Sequence, residues 1–177
     1  MERKLVEAME QETTLTGSRI VVGVDGSPES VLALKWAQTM ARAFNATITA
    51  VTAWHMDTVF GSYIVPDWDP DEDAQKILKD AAQEAFGDNA PDGFSAECVR
   101  GRPAQVLMEY SKSAQMLIVG SRGHGGFAGM LLGSVSSACA EHASCPVLVV
   151  HSSKEAQKVP VAVGASYEDT DEPVRSS

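Results

Sequence analysis

Short apolar runs alternate with amphipathic stretches along most of this chain. Ile20-Val21-Val22-Gly23-Val24 is continuous and rich in β-branched residues, the pattern of a strand buried on both faces. Asp25-Gly26-Ser27-Pro28-Glu29 follows with turn residues, a helix cap and a proline suited to the first helical turn. A helix is then predicted through Val31, Leu34, Ala37, Met40 and Ala41 to about Asn45. Ala46 to Trp54 reads as a second strand. Residues 55–70 carry Gly61, Pro66, Pro70 and several aspartates, so they read as a long loop, a length at which connections often act as lids.

The pattern then repeats. Asp71 to about Phe86 is predicted helical, with Ile77, Leu78, Ala81, Ala82 and Ala85 on one side. Residues 87–93 are a turn cluster, and Phe94 to Arg100 alternates as a strand toward a sheet edge. Arg102 to about Ala114 is predicted helical, with Pro103 in its first turn and Val106, Leu107 and Tyr110 facing inward. Met116 to Gly120 is a fully apolar strand, Ser134 to about His142 a helix, and Pro146 to His151 the last strand. Strands joined through helices imply an α/β fold, an open five-stranded parallel sheet covered by helices on both faces. In such sheets the ligand crevice lies at the carboxyl ends of the strands, where strand order reverses. Residues 1–18, with a weak stripe of Leu5, Val6 and Met9, read as a flexible arm. Residues 19–152 form the domain, and residues 153–177 lack periodicity and read as a disordered tail.

Composition narrows the function. The 177 residues carry 14 basic and 24 acidic side chains, a formal charge of −10. General nucleic-acid binding draws on cations meeting phosphates, so it is disfavoured, as are anionic membrane surfaces. No run approaches the about 18 apolar residues of a membrane span, and the first residues hold no hydrophobic signal core, so a cytoplasmic protein is expected. Cys98, Cys139 and Cys145 are odd in number and lack paired zinc spacing. Asp57, Asp67, Asp69, Asp71, Glu72 and Asp73 read as a solvated acidic surface.

The candidate chemistry is concentrated after the fourth strand. Gly120, Gly123, Gly125, Gly126, Gly129 and Gly133 fall within one short stretch. Glycines let a backbone approach an anion closely, so that successive N–H groups form a nest. Gly133-Ser134-Val135-Ser136 then opens a helix whose first N–H groups and positive dipole end attract phosphate. The Ser134 and Ser136 hydroxyls can cap that helix, donate to a phosphate oxygen, or both. No G-x4-G-K-[ST] motif is present, and no G-x-G-x-x-G follows the first strand. Asp25 either touches a ribose hydroxyl or a phosphate-bound metal, or caps the helix after it. Arg122 and His124 either meet phosphate or face solvent. Trp54 either lines the pocket or packs elsewhere, and Trp68 either closes over a ligand or lies exposed. His55, His142 and His151 read as element-end residues, Trp36 as core, and Cys139 and Cys145 as packing residues.

These residues resemble the universal stress protein family. Gly120, Gly123, Gly133 and Ser134 match its G-x2-G-x9-G-[ST] signature, and Ile20 to Ser27 and Cys145 to Val150 match its opening and closing strands. The resemblance covers about residues 17–152. It implies a Rossmann-like three-layer α/β/α fold of the adenine nucleotide alpha hydrolase-like type. It also implies an ATP site, with Mg or Mn held mainly by the phosphates. Gly23, Val24 and Asp25 would hold the adenosine, with Asp25 on the ribose, and the backbone at Ala53 would meet the adenine. Gly120, Ser121, Arg122, Gly123, His124, Gly125 and Gly126 would wrap the phosphates, and Gly133, Ser134 and Val135 would close the site. Another adenine nucleotide is the alternative ligand. A homodimer through the last strand, residues 146–151, is implied as well. The function this favours is a nucleotide-dependent stress-response regulator rather than an enzyme, the alternative being a slow ATPase or a self-phosphorylating enzyme on the same fold.

Overall fold

The computed structural model describes residues 18–55, 69–123 and 132–152. Five strands, β1 (Arg19–Gly23), β2 (Thr47–Trp54), β3 (Phe94–Arg100), β4 (Met116–Gly120) and β5 (Val147–Val150), alternate with four helices. These are α1 (Pro28–Phe44), α2 (Pro70–Phe86), α3 (Pro103–Ser111) and α4 (Ser134–His142). The sheet order is β3-β2-β1-β4-β5 with every pair parallel. β1 is therefore central. The chain runs outward through β2 to the β3 edge, then crosses back to β4 and β5.

Alternation along the strands divides the core into two layers. Ile20, Val22, Ile48, Ala50 and Ile118 face α1 and α2, packing with Leu34, Ala37, Leu78 and Ala81. Val21, Val51, Leu117 and Val119 face α3 and α4, packing with Leu107 and Cys139. Since β1 and β4 are covered on both faces, polar residues are excluded from their centres, and the sequence shows them as uninterrupted apolar runs.

The helix ends are set by local chemistry. The Ser27 hydroxyl accepts from the Ser30 N–H at 3.2 Å, and Pro28 occupies the first turn of α1. Asn45 ends α1 in the left-handed region at φ 50°, its N–H bonded to the Ala41 carbonyl. Asp69 caps α2 by accepting from the Asp71 and Glu72 N–H groups.

Two expectations need correction. Ile77 does not lie on the buried side of α2; it is 37% exposed, because the buried stripe is Ala74, Leu78 and Ala81 at helical spacing and Ile77 is offset from it. The third helix ends at Ser111, short of Ala114, where the Ser113 and Ala114 N–H groups turn back to the Tyr110 and Ser111 carbonyls. The arm, the tail and most of the loop over residues 55–70, including Trp68, lie outside the described residues.

Candidate functional site

The reversal of strand order between β1 and β4 opens a crevice at their carboxyl ends. A cavity of about 280 Å³ lies there. Gly23, Val24 and Asp25 contribute one wall, and Gly120, Arg122 and Gly123 the opposite one. Gly133, Ser134, Val135 and Ser136, the start of α4, form the end, while Val51, Ala53, Pro103, Leu107 and Val119 form an apolar floor.

The β1 wall is fixed by a chain of short bonds. The Val24 N–H donates to the Val51 carbonyl at 2.9 Å, and the Thr52 hydroxyl donates to the Val24 carbonyl at 2.9 Å. Asp25 then leaves the strand with its carboxylate exposed to the crevice. Its Oδ1 accepts from the Ser27 N–H at 3.0 Å and from the Ser27 hydroxyl at 2.6 Å. Asp25 thus does not cap α1; it orients the serine that does.

The β4 wall is close-fitted backbone. A Cβ on Gly120 would come within 2.7 Å of the Glu29 Cβ, and one on Gly123 would overlap the Asp25 carboxylate. Ser121 is buried: its N–H donates to the Val150 carbonyl at 2.7 Å and its carbonyl accepts from the Gly133 N–H at 2.8 Å. Ser121 is therefore a stitch behind the wall rather than part of the lining. Arg122 is exposed at the rim.

At the far end, Gly133 is the N-cap of α4 and has no side chain to bind the helix's first N–H groups. Ser134 is exposed beside them. Ser136 points the other way, its hydroxyl donating to the Gly120 carbonyl at 2.6 Å. Among the described residues no side chain caps the first N–H groups of α4. The crevice therefore brings those groups and a positive dipole end to a glycine-lined strand end, an arrangement suited to an anion.

Of the residues singled out from sequence, Gly23, Val24, Asp25, Ala53, Gly120, Arg122, Gly123, Gly133, Ser134 and Val135 converge on one cavity. His124, Gly125 and Gly126 lie outside the described residues. Trp54 is not in the lining. Alternation sends Ala53 to the cavity face and Trp54 to the other, where its Nε1–H donates to Asp71 at 3.0 Å and Arg100 sits 5.7 Å from its ring. Ser136, a candidate phosphate donor by sequence, also lines the cavity, while Val51, Pro103, Leu107, Val119 and Ser30 join the lining without having been singled out. Of these Val51 alone carries a usable signal, lying two residues before Ala53 on the same strand face.

Titration around the site follows burial. The Cys139 thiol, behind the cavity in α4, is pushed up to about 11 by burial, with Cys145 adding to the shift. Burial also raises Cys145. At neutral pH both are protonated packing groups. Among the described residues no three His, Cys, Asp or Glu side chains gather as a metal site, and no helix is long and apolar enough to cross a membrane.

Fold and crevice together define a doubly wound α/β domain with a glycine-lined cleft at its topological switch point. The chain belongs to the universal stress protein family, whose model matches residues 17–151. A universal stress protein of Mycolicibacterium smegmatis is 37% identical over 132 residues, covering 74% of this chain and 45% of the relative. One from Mycobacterium tuberculosis strain H37Rv is 36% identical over 156 residues, covering 82% and 53%. The chain thus spans about half the length of the curated relatives it matches. Among solved structures, a universal stress protein in complex with cAMP superimposes with a TM-score of 0.59 at 31% identity, over 78% of this chain and 99% of that one.

Proposed function

We propose that this chain binds ATP, or another adenine nucleotide, in the crevice between β1 and β4, and acts as a nucleotide-dependent regulator in the cytoplasm rather than as an enzyme. The observation that carries the reading is the first turn of α4, capped by no side chain among the described residues, facing the Gly120–Gly123 backbone across the cavity. The phosphates would lie between those two backbones, with Gly125 and Gly126 completing the wrap and Arg122, His124 and Ser134 at the rim. The apolar slot of Val51, Ala53, Leu107 and Val119 suits a base, and Asp25 at the strand end suits ribose hydroxyls. The relative bound to cAMP, at 31% identity, supports an adenine-containing ligand. Any Mg or Mn would be held mainly by the phosphates.

The second part of the proposal is a homodimer through residues 146–151. β5 is an outer strand of the sheet, and Val147, Leu148 and Val149 on it are only half-buried. An apolar sheet edge of that kind favours pairing with another chain.

Calorimetric titration with ATP, AMP, cAMP and GTP tests the ligand. Saturable binding of an adenine nucleotide, weakened by Asp25→Asn, supports the crevice; no binding of any of the four contradicts it. Sedimentation tests the assembly: Leu148→Glu is expected to turn a dimer into a monomer, and a monomeric unsubstituted chain contradicts the pairing.

A further inference from the structure

Ser136 is the third residue of α4 and only 4% exposed. A serine in the first helical turn usually serves its own helix or water. This one reaches across to β4. Its hydroxyl lies 2.6 Å from the Gly120 carbonyl and 3.3 Å from the Ser121 carbonyl. A hydroxyl carries one hydrogen, so that donor is committed to the end of β4 and is not offered to a ligand. The Gly133 N–H, donating to the Ser121 carbonyl at 2.8 Å, forms a second tie between the same two backbones.

We infer that Ser136 is a positioning residue that fixes the gap between the end of β4 and the first turn of α4, and so makes the crevice discriminate a phosphorylated ligand from the bare nucleoside. The inference rests on the adenine nucleotide reading above. Backbone N–H groups hold an oxygen at about 2.7–3.2 Å and in good alignment, so a widened gap loses the anion from one wall or the other. The adenosine end is built differently. Val24 and Thr52 tie β1 to β2 independently of α4. Loss of the Ser136 tie therefore falls on the phosphates and spares the nucleoside.

The test titrates ATP and adenosine into the full chain, Ser136→Ala and Ser111→Ala. Ser111 is the control: it is 1% exposed, its hydroxyl donates to the Met108 carbonyl and accepts from the Ser144 N–H, and it lies outside the crevice. Ser136→Ala is expected to weaken ATP about tenfold or more, the scale of one buried hydrogen bond lost, while adenosine changes by less than about twofold. Ser111→Ala is expected to lower the thermal midpoint and leave the ratio of the two affinities unchanged. Equal losses for ATP and adenosine in Ser136→Ala overturn the inference, as does unchanged ATP binding, an altered ratio in Ser111→Ala, or a Ser136→Ala chain unfolded at 25 °C. Each of those results leaves the nucleotide reading standing if the unsubstituted chain binds ATP. An unsubstituted chain that binds neither ligand overturns the reading itself, and the inference with it.

Discussion

The Cβ that Gly123 lacks would fall on the carboxylate of Asp25. These residues follow different strands, far apart in sequence, and they meet at the crevice because β1 and β4 are neighbours in the sheet. Asp25 cannot simply swing clear, since its other oxygen is held by both the N–H and the hydroxyl of Ser27. Gly123→Ala should therefore displace Asp25 and narrow the cleft. We expect ATP affinity to fall at least about tenfold, with a stability loss near 1 kcal/mol, the usual scale for a single substitution. Titration and urea denaturation of the same preparation check the pair, and unchanged affinity would remove Gly123 from the site.

Gly120→Ala acts on the other side of the same strand end. Its Cβ would meet the Glu29 Cβ at 2.7 Å and the Glu29 carbonyl carbon at 3.1 Å. Neither atom is the tip of a flexible side chain, so α1 itself must shift. A destabilisation of about 2 kcal/mol or more is expected, the cost of overpacking a tight contact. Chemical denaturation measures it, and a loss below 0.5 kcal/mol on the order-of-magnitude scale of surface changes would show that α1 yields freely.

Ser27 links stability and the site in a single side chain. It accepts from the Ser30 N–H as the cap of α1 and donates to Asp25. Ser27→Ala should cost about 1 kcal/mol as a lost cap and also release Asp25. Ser27→Asp restores an acceptor for the cap but places a second carboxylate against Asp25. Stability measured near pH 7 should recover less in Ser27→Asp than a cap alone would give, and full recovery would mean that the Asp25 contact contributes nothing.

The Tyr110 hydroxyl donates to Glu97 at 2.5 Å, joining α3 to the edge strand β3. Burial, then the bond to Glu97 and its charge, push the Tyr110 hydroxyl up to about 12, with Arg19 opposing. A raised folded value means that the contribution is complete below the ordinary tyrosine value near 10 and is lost as pH rises through about 12. The difference in ultraviolet titration between the unsubstituted chain and Tyr110→Phe should show a midpoint near 12. A midpoint near 10 would mean that the Glu97 contact does not persist in solution.

Much of this arrangement was legible in the sequence because it rests on local pattern. The unbroken apolar runs of β1 and β4 announce strands covered on both faces, and a helix cap just before Pro28 is readable from residue type and position. The capping expected of Ser134 and Ser136 is not what the structure shows: the N-cap is Gly133. The glycines after Val119 mark one wall of the crevice by residue type alone. What stayed hidden depends on three-dimensional proximity. The donor role of Ser136 toward Gly120 cannot be read from a segment that looks like an ordinary helix start. The resemblance puts Ser121 in an anion loop, yet its backbone N–H and carbonyl bind Val150 and Gly133. Trp54 shows how a single step along a strand reverses a side chain: it follows Ala53, and so joins Asp71 on the opposite face.

The central claim is that an adenine nucleotide sits between the ends of β1 and β4, and amide hydrogen exchange with and without saturating ATP tests it most directly. Protection confined to peptides covering Gly23–Ser27, Ala53 and Gly120–Ser136 is the predicted result. Exchange unchanged by ATP, or protection elsewhere, such as along the groove between Leu78 of α2 and Phe94 of β3, would contradict the account.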